Sequence, residues 1–153
     1  MIDVRIVVPI PPLALPRSRT TRNPKTGRVH GYMPARAMRW QSDVAAVAAA
    51  YLPKQIIDEP VRVAALFVVP RPKYMLGKKF ADGLIWACQR PDCDNFSKGL
   101  LDSLRSFWRD DALVVCLPTM KAYAERTGRA RVVFRIASQT EPPEAVARRW
   151  GLL

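Results

Sequence analysis

Histidine and cysteine are scarce in this sequence, which limits the metal sites and catalytic groups that it can form. His30 is the single histidine, and the three cysteines (Cys88, Cys93 and Cys116) form no C-x-x-C pair. Structural zinc sites usually take their ligands from closely spaced Cys or His pairs such as C-x-x-C, so none is expected. A Ser-His-Asp arrangement would have to use His30, which leaves little material for nucleophilic catalysis of that type. We expect at least two of the thiols to be core side chains.

Long apolar runs are also missing. No stretch approaches the ~20 apolar residues that a membrane-spanning helix needs. The segment 1–16 contains Asp3 and Arg5 and no small-residue cleavage site, so it does not resemble a signal peptide. An odd number of cysteines fits a reducing compartment. The sequence therefore predicts a cytoplasmic protein with no membrane partner.

Acidic residues are few, and the chain is strongly basic. It has 13 Asp and Glu against 25 Lys and Arg, which gives a net charge of +12. Most of the basic residues are arginines, whose guanidinium group makes forked contacts with phosphate. A positive field of this size favours an anionic partner, and nucleic acid is the first hypothesis. The alternative is a charged surface that only keeps the protein in solution.

The apolar pattern predicts a single α+β domain with a mixed β-sheet and two main helices. The predicted strands are 2–9, 61–69, 113–124 and 130–137, and the predicted helices lie around 40–51 and 96–108. The last two strands are expected to pair as a hairpin around the turn 125–129. The proline-rich segment 10–35 is expected to be a long loop. The tail 138–153 is expected to contain a short appended helix.

The scarce acidic residues are concentrated in one place. Five of the thirteen lie between positions 92 and 111: Asp92, Asp94, Asp102, Asp110 and Asp111. A helix cap and an i,i+4 pair with Lys98 could account for the first three, at ~0.3–1 kcal/mol each. They leave the adjacent pair 110–111 unexplained, because crowded carboxylates repel one another and resist ionisation.

A divalent cation would resolve that repulsion. Ligand sets made only of aspartate supply hard oxygen donors, which favour Mg²⁺ and leave Mn²⁺ possible. The spacing excludes an EF-hand, since Ser97 stands where glycine is required, and no P-loop motif occurs. At i, i+4 and i+8, Asp94, Lys98 and Asp102 share one helix face. Basic loops combined with an acidic metal pocket predict a metal-dependent nuclease.

The segment PDCDNFSKGLLDSL followed by FWRDDALVV resembles the RusA family of Holliday junction resolvases. The family pattern is Asp-x-Asp-Asn, a Lys three residues on, a downstream Leu/Phe-Asp-Ala/Ser-Leu, Trp-x-Asp-Asp before a Val-Val strand, and a Lys in the next strand. The matching residues here are Asp92, Asp94, Asn95, Lys98, Asp102, Trp108, Asp110, Asp111 and Lys121. The likeness covers about 1–137, which we take as the RusA-like domain, and the tail 138–153 lies outside it.

The resemblance implies a RusA-like fold and a homodimeric, magnesium-dependent endonuclease that nicks four-way DNA junctions in recombination and repair. By the resemblance, Asp92, Asp94 and Asp111 would be the catalytic and metal-binding carboxylates, and Lys98 would be the catalytic lysine. Asp110 is a weaker candidate, because adjacent residues in a strand point to opposite sides. The residues expected to contact DNA are Arg17, Arg19, Arg22, Lys73 and Lys121.

Two other functions remain open at this level. A broader nuclease that trims flaps or forks would need the same carboxylates, because branch recognition depends on loop shape and dimer geometry. A catalytically silent module could bind junctions and use metal only structurally. A basic RNA-associated protein would leave the clustered aspartates without a purpose.

Overall fold

The computed structural model describes residues 1–15 and 19–153. The strands are β1 (Asp3–Val8), β2 (Arg19–Arg22), β3 (Val29–Tyr32), β4 (Val61–Val69), β5 (Ile85–Trp86), β6 (Val114–Cys116), β7 (Thr119–Tyr123) and β8 (Arg131–Ser138). The helices are α1 (Ala35–Ala49), α2 (Cys93–Leu104) and α3 (Pro143–Arg149), with short 3-10 turns at Lys73–Leu76 and Asp111–Leu113.

The β-branched segments form a six-stranded mixed sheet. Its order is β1-β8-β4-β7-β5, and β6 also pairs with β4. The pairs β1/β8, β8/β4 and β5/β7 are antiparallel, whereas β4 runs parallel to β6 and β7. The predicted single α+β domain with a mixed sheet is confirmed.

One face of the sheet packs against α1 and α2. Every second residue of β4 is buried on this face, including Phe67. Helix α1 presents Trp40 and Val44 to it, and α2 presents Phe96 and Leu100. The rings of Phe67 and Phe96 stack with their centroids 5.1 Å apart. Apolar residues four positions apart thus bury one stripe of each helix and leave the opposite stripe of α2 exposed.

The expectation of a loop throughout 10–35 is wrong, because β2 and β3 form a hairpin within it. Its turn is built by Asn23, whose Oδ1 accepts hydrogen bonds from the backbone N–H groups of Lys25 and Thr26. Gly27 closes the turn at φ +68°, which favours glycine. The strands are short and mostly polar, so the alternation of apolar residues that marks a strand is missing.

The expected hairpin between the last two strands is also wrong. Strand β8 pairs with β1 and β4, and β4 separates it from β7. Because β4 is apolar at every position except Arg62, it takes the centre of the sheet, with neighbours on each side. A turn signal alone predicted the hairpin, whereas the tertiary pairing depends on a strand more than 50 residues earlier in the chain.

The cysteines, the end of α2 and the tail of the chain were also subjects of prediction. Cys88 is exposed and Cys93 and Cys116 are half-buried, so the expectation of core thiols is wrong. Helix α2 ends at Leu104, and Trp108 lies beyond it. A short tail helix is present as α3, but the division of the chain at residue 137 remains a prediction. Among the described helices, none is long and apolar enough to cross a membrane.

An ion pair closes the β7–β8 connection. Arg131 donates to both carboxylate oxygens of Glu125, at 2.9 and 2.6 Å. These bonds are the main reason that the pKa of Glu125 falls from an ordinary 4.5 to about 2. A lowered folded-state pKa stabilises the fold above the unfolded value, and this contribution is lost as the pH falls from about 4.5 towards 2.

We therefore expect Glu125→Gln to lower the free energy of unfolding by about 1 kcal/mol at pH 7, the upper end for exposed pairs. The difference from the wild type should shrink as the pH falls through that window. Urea unfolding at pH 7, 4 and 2.5 measures it, with Glu144→Gln, an exposed glutamate of α3, as the control. If the difference in free energy of unfolding were the same at every pH, the stabilisation could not come from the ionised Glu125–Arg131 pair.

Candidate active site

The exposed stripe of α2 lines an open cleft. Phe96, Leu100 and Leu104 point into the core, which turns Asp94, Lys98 and Asp102 towards solvent. The cleft has a volume of about 580 Å³ and is lined by Cys93, Asp94, Ser97, Lys98, Leu101, Asp102, Asp111, Leu117 and Thr119. The predicted shared face of Asp94, Lys98 and Asp102 is therefore present. The fold also brings Asp111 to the same cleft from outside the helix.

Asp111 is held in the cleft by a buried tryptophan. The indole Nε1–H of Trp108 donates a hydrogen bond to Asp111 Oδ1 at 2.8 Å. Trp108 is only 3% exposed, and an isolated β-bridge joins it to Ile57. The same segment is fixed by hydrogen bonds from Ile57 N to Phe107 O and from Arg109 N to Ile57 O. A rigid connection therefore aims the Asp111 carboxylate at α2.

Asp92 and Asp110 differ from Asp94 and Asp111 in their surroundings. Asp92 stands at the N-cap position of α2, is exposed, and makes no side-chain cap hydrogen bond. It precedes the cleft and does not line it. Asp110 accepts a hydrogen bond from Ala112 N at 2.7 Å through Oδ1, so it caps the following 3-10 turn. Of the two adjacent residues, Asp111 lines the cleft, whereas the Asp110 carboxylate caps the 3-10 turn.

The basic residues predicted to bind DNA have different environments. Arg17 lies outside the described residues, and the side chain of Arg19 is not described. Arg22 is exposed, and its Nε donates to Gly27 O at 3.3 Å. Lys73 is exposed in the first 3-10 turn. Lys121 donates from Nζ to two backbone carbonyl oxygens.

The start of the first basic segment is anchored beside the acidic cleft. Leu15 N–H donates to the carbonyl oxygen of Asn95, in the first turn of α2, at 3.5 Å. A Cβ at Gly99 would lie 3.4 Å from the Leu15 side chain and from the Trp40 ring, so α2 packs closely here. Residues 11–15 therefore lead the chain from the core to the arginine-rich segment past the cleft-bearing helix.

The donor set fits a magnesium ion in one respect and is sparse in another. Asp94, Asp102 and Asp111 supply only carboxylate oxygens to the cleft. Within the described part of the chain, no three or more His, Cys, Asp or Glu side chains are grouped closely enough to hold a metal ion. Mg²⁺ is commonly bound by one or two carboxylates together with waters and substrate phosphates. Any two of these three carboxylates, such as Asp94 and Asp111, meet that requirement in a solvent-open cleft.

The sequence pattern included Trp108 in the family motif but predicted no role for it. The spacing Trp-x-x-Asp puts the indole three residues before Asp111, which is a usable signal for a local hydrogen bond. The spacing did not reveal that the segment turns back onto Ile57. It also did not reveal that Leu117, in the β6–β7 connection, and Thr119, the first residue of β7, reach the cleft.

An acidic cleft on a strongly basic α+β domain is typical of a metal-dependent nuclease. The family model described as "Endodeoxyribonuclease RusA" matches residues 9–135. The chain is also 33% identical, over 120 residues, to the Bacillus subtilis (strain 168) protein named "Uncharacterized protein YqaN". That alignment covers 74% of this chain and 84% of the relative.

The chain belongs to the RusA endodeoxyribonuclease family, which confirms the resemblance found in its sequence. Family membership implies a nuclease of the Holliday junction resolvase type.

On the expectation that Asp111 is a metal-binding carboxylate, Trp108→Phe should lower cleavage by about 10- to 100-fold, the loss that is typical when a group that orients a metal ligand is removed. Phenylalanine keeps most of the buried ring but cannot donate to Asp111. The matched control is Trp40→Phe, because Trp40 is also buried and donates its Nε1–H to Pro11 O at 2.9 Å, away from Asp111. Single-turnover cleavage and urea unfolding of both variants separate catalysis from stability. Equal loss of activity in the two variants would contradict the role of Trp108.

Proposed function

We propose that this protein is a magnesium-dependent endodeoxyribonuclease that resolves four-way DNA junctions by paired symmetric nicks, in recombination and repair. The observation that carries the proposal is the meeting of Asp94, Lys98 and Asp111 in one solvent-open cleft of a protein with a net charge of +12. A carboxylate cleft would repel a DNA phosphate unless a cation were bound there. The basic surface would thus bind the DNA backbone, and the carboxylates of the cleft would hold the metal.

Each residue of the cleft has a proposed role. Asp94 and Asp111 would hold the metal from two sides, and Asp92, one residue before α2, would complete the set when DNA binds. Bound Mg²⁺ would supply an activated water and charge neutralisation at the scissile phosphate. Lys98 would place its ammonium beside the phosphate and stabilise the negative charge that develops. Lys98 takes part in no ion pair among the described residues, so its charge is available for this role.

Phosphate contacts are proposed for the basic segments. Arg17, Arg19, Arg22 and Lys73 would fix the position of the DNA backbone without reading its sequence. The support is the anchoring of Leu15 on Asn95, since Arg17 follows Leu15 by two residues in the sequence and Arg19 by four. Contacts of this kind weaken steeply with salt.

A homodimer is proposed because paired nicks need two active sites. The support is an apolar surface on the sheet face opposite α1 and α2. Leu66 and Met120 are neighbours in register there, and Trp86 is 68% exposed beside them. Large contiguous apolar patches often mark protein–protein contacts, and a twofold axis would relate two clefts symmetrically. The cytoplasm is the proposed compartment, supported by the three free thiols.

The test is cleavage of a labelled synthetic four-way junction in Mg²⁺, beside a linear duplex and a flap substrate of the same sequence. The expected result is paired symmetric nicks in the junction with little cutting of the others. Equal cutting of flap and junction would keep the chemistry and assign the protein to general branch processing. Tight junction binding with no cleavage in Mg²⁺ or Mn²⁺ would overturn the enzyme proposal. Equilibrium sedimentation of the same sample measures the dimer.

A further inference from the structure

Lys121 is bonded to the loop that leads into the candidate active site. Its Nζ donates hydrogen bonds to the carbonyl oxygens of Gln89 and Pro91, both at 2.7 Å. The second of these carbonyls belongs to the residue directly before Asp92. An ammonium has three N–H donors, so two of the three are already used within the protein. Charge-assisted bonds of this length are among the stronger hydrogen bonds in proteins.

The backbone of Lys121 holds the same loop at another point. Ala87 N–H donates to the Lys121 carbonyl at 3.3 Å. Within the sheet, Lys121 is in register with Phe67 of β4, whose ring stacks on Phe96 of α2. One position of β7 therefore fixes the start and the end of segment 87–91, beside the contact that fixes α2 to the sheet.

The Lys121 side chain lies outside the acidic cleft. It is half-buried and lines a separate pocket of about 230 Å³, together with Pro91, Phe96 and Tyr123. The cleft is lined instead by Thr119, two residues earlier on the same strand. One N–H donor of Lys121 is left over. A phosphate could accept more than that one hydrogen bond only if the bonds to the loop were broken or shared.

We propose that Lys121 is a positioning residue: its ammonium holds the 89–91 backbone, and so places Asp92 and Asp94 for metal binding, and it does not bind phosphate. The inference rests on the proposed function of the cleft and differs from the sequence-based expectation that Lys121 contacts DNA. The physical reason is that two carbonyl oxygens converge on one cation. Without that cation they would lose their donors and repel each other, and the loop would move.

The experiment compares Lys121→Met with Lys73→Met, which removes an exposed lysine from a proposed phosphate contact. For Lys121→Met we expect Mn²⁺ affinity and single-turnover cleavage to fall by about 10- to 100-fold each. The dependence of junction binding on salt, measured without divalent metal, should match the wild type. For Lys73→Met we expect the slope of log K against log salt to fall by about 1, with wild-type Mn²⁺ affinity.

The opposite pattern would overturn the proposal: a salt slope reduced by about 1 in Lys121→Met, with unchanged Mn²⁺ affinity, assigns the lysine to phosphate. A second measurement uses the wild type and so does not depend on how the variant folds. In the free protein, acetic anhydride should modify Lys121 roughly 10-fold more slowly than Lys73, and junction DNA should leave the rate at Lys121 unchanged. Rapid labelling of the free protein with protection only on DNA would also overturn it.

These measurements separate the inference from the proposed function. If the wild type cuts no substrate, the nuclease proposal fails, while the labelling rates and the salt slope still decide whether Lys121 holds the loop or binds phosphate. If the wild type cuts junctions and Lys121→Met cuts at the wild-type rate, the nuclease proposal stands and the positioning role fails.

Discussion

Replacement of Asp94 by asparagine is expected to lower junction cleavage by at least about 10³-fold, equivalent to about 4 kcal/mol of transition-state stabilisation. Asparagine keeps the shape of the side chain and removes the negative charge that would hold the metal. Junction binding without divalent metal should be preserved or tighter, because one negative charge has been removed from the DNA-facing surface. Single-turnover cleavage in Mg²⁺ and junction binding in EDTA are the measurements.

Two further substitutions control for the charge change. Asp43→Asn makes the same change at an exposed position of α1, and it should cut like the wild type. The neighbouring pair gives a sharper comparison, because Asp111→Asn should be as damaging as Asp94→Asn. Asp110→Asn should have a small effect, since asparagine can also cap the turn that Asp110 caps now. If Asp94→Asn cut junctions within tenfold of the wild-type rate, the cleft would not be the active site.

Among the substitutions proposed for this protein, Phe96→Ala is expected to lower the free energy of unfolding most. Phe96 is 1% exposed and stacks on Phe67, so Phe96→Ala would leave a cavity between α2 and the centre of the sheet. Substitutions of this type cost about 3–5 kcal/mol. That is a large share of the 5–15 kcal/mol that typically holds a domain folded. Urea unfolding monitored by circular dichroism measures the loss.

Two comparisons make the result specific to burial. Phe96→Leu keeps most of the volume and should cost less than about 1.5 kcal/mol. Phe80→Ala removes the same side chain from a half-buried site at the edge of a small cluster, and it should cost clearly less than Phe96→Ala. A loss below about 1.5 kcal/mol for Phe96→Ala would mean that α2 is not anchored through this ring.

The elements that the sequence predicted well have a strong local pattern. Strand β4 was expected at 61–69, which are its bounds in the structure. A run of β-branched residues and two following prolines are enough to place such a strand. The helix face shared by Asp94, Lys98 and Asp102 also follows from spacing alone. The hairpin β2–β3 was missed because its stability comes from turn chemistry at Asn23 and Gly27, where no apolar alternation marks the strands.

By itself, the sequence determined the α+β composition, the concentration of acid between residues 92 and 111 in a basic chain, and the helix face that carries Asp94 and Lys98. Only the tertiary structure decided that Asp111 meets this face while Asp110 caps a turn. It also decided that β4 separates β7 from β8, and that Lys121 is bonded to the loop before Asp92. The physical reason is the distance along the chain over which each interaction acts. Propensity, spacing and charge act between near neighbours in the chain, whereas these contacts join segments that become neighbours only when the shared core is buried.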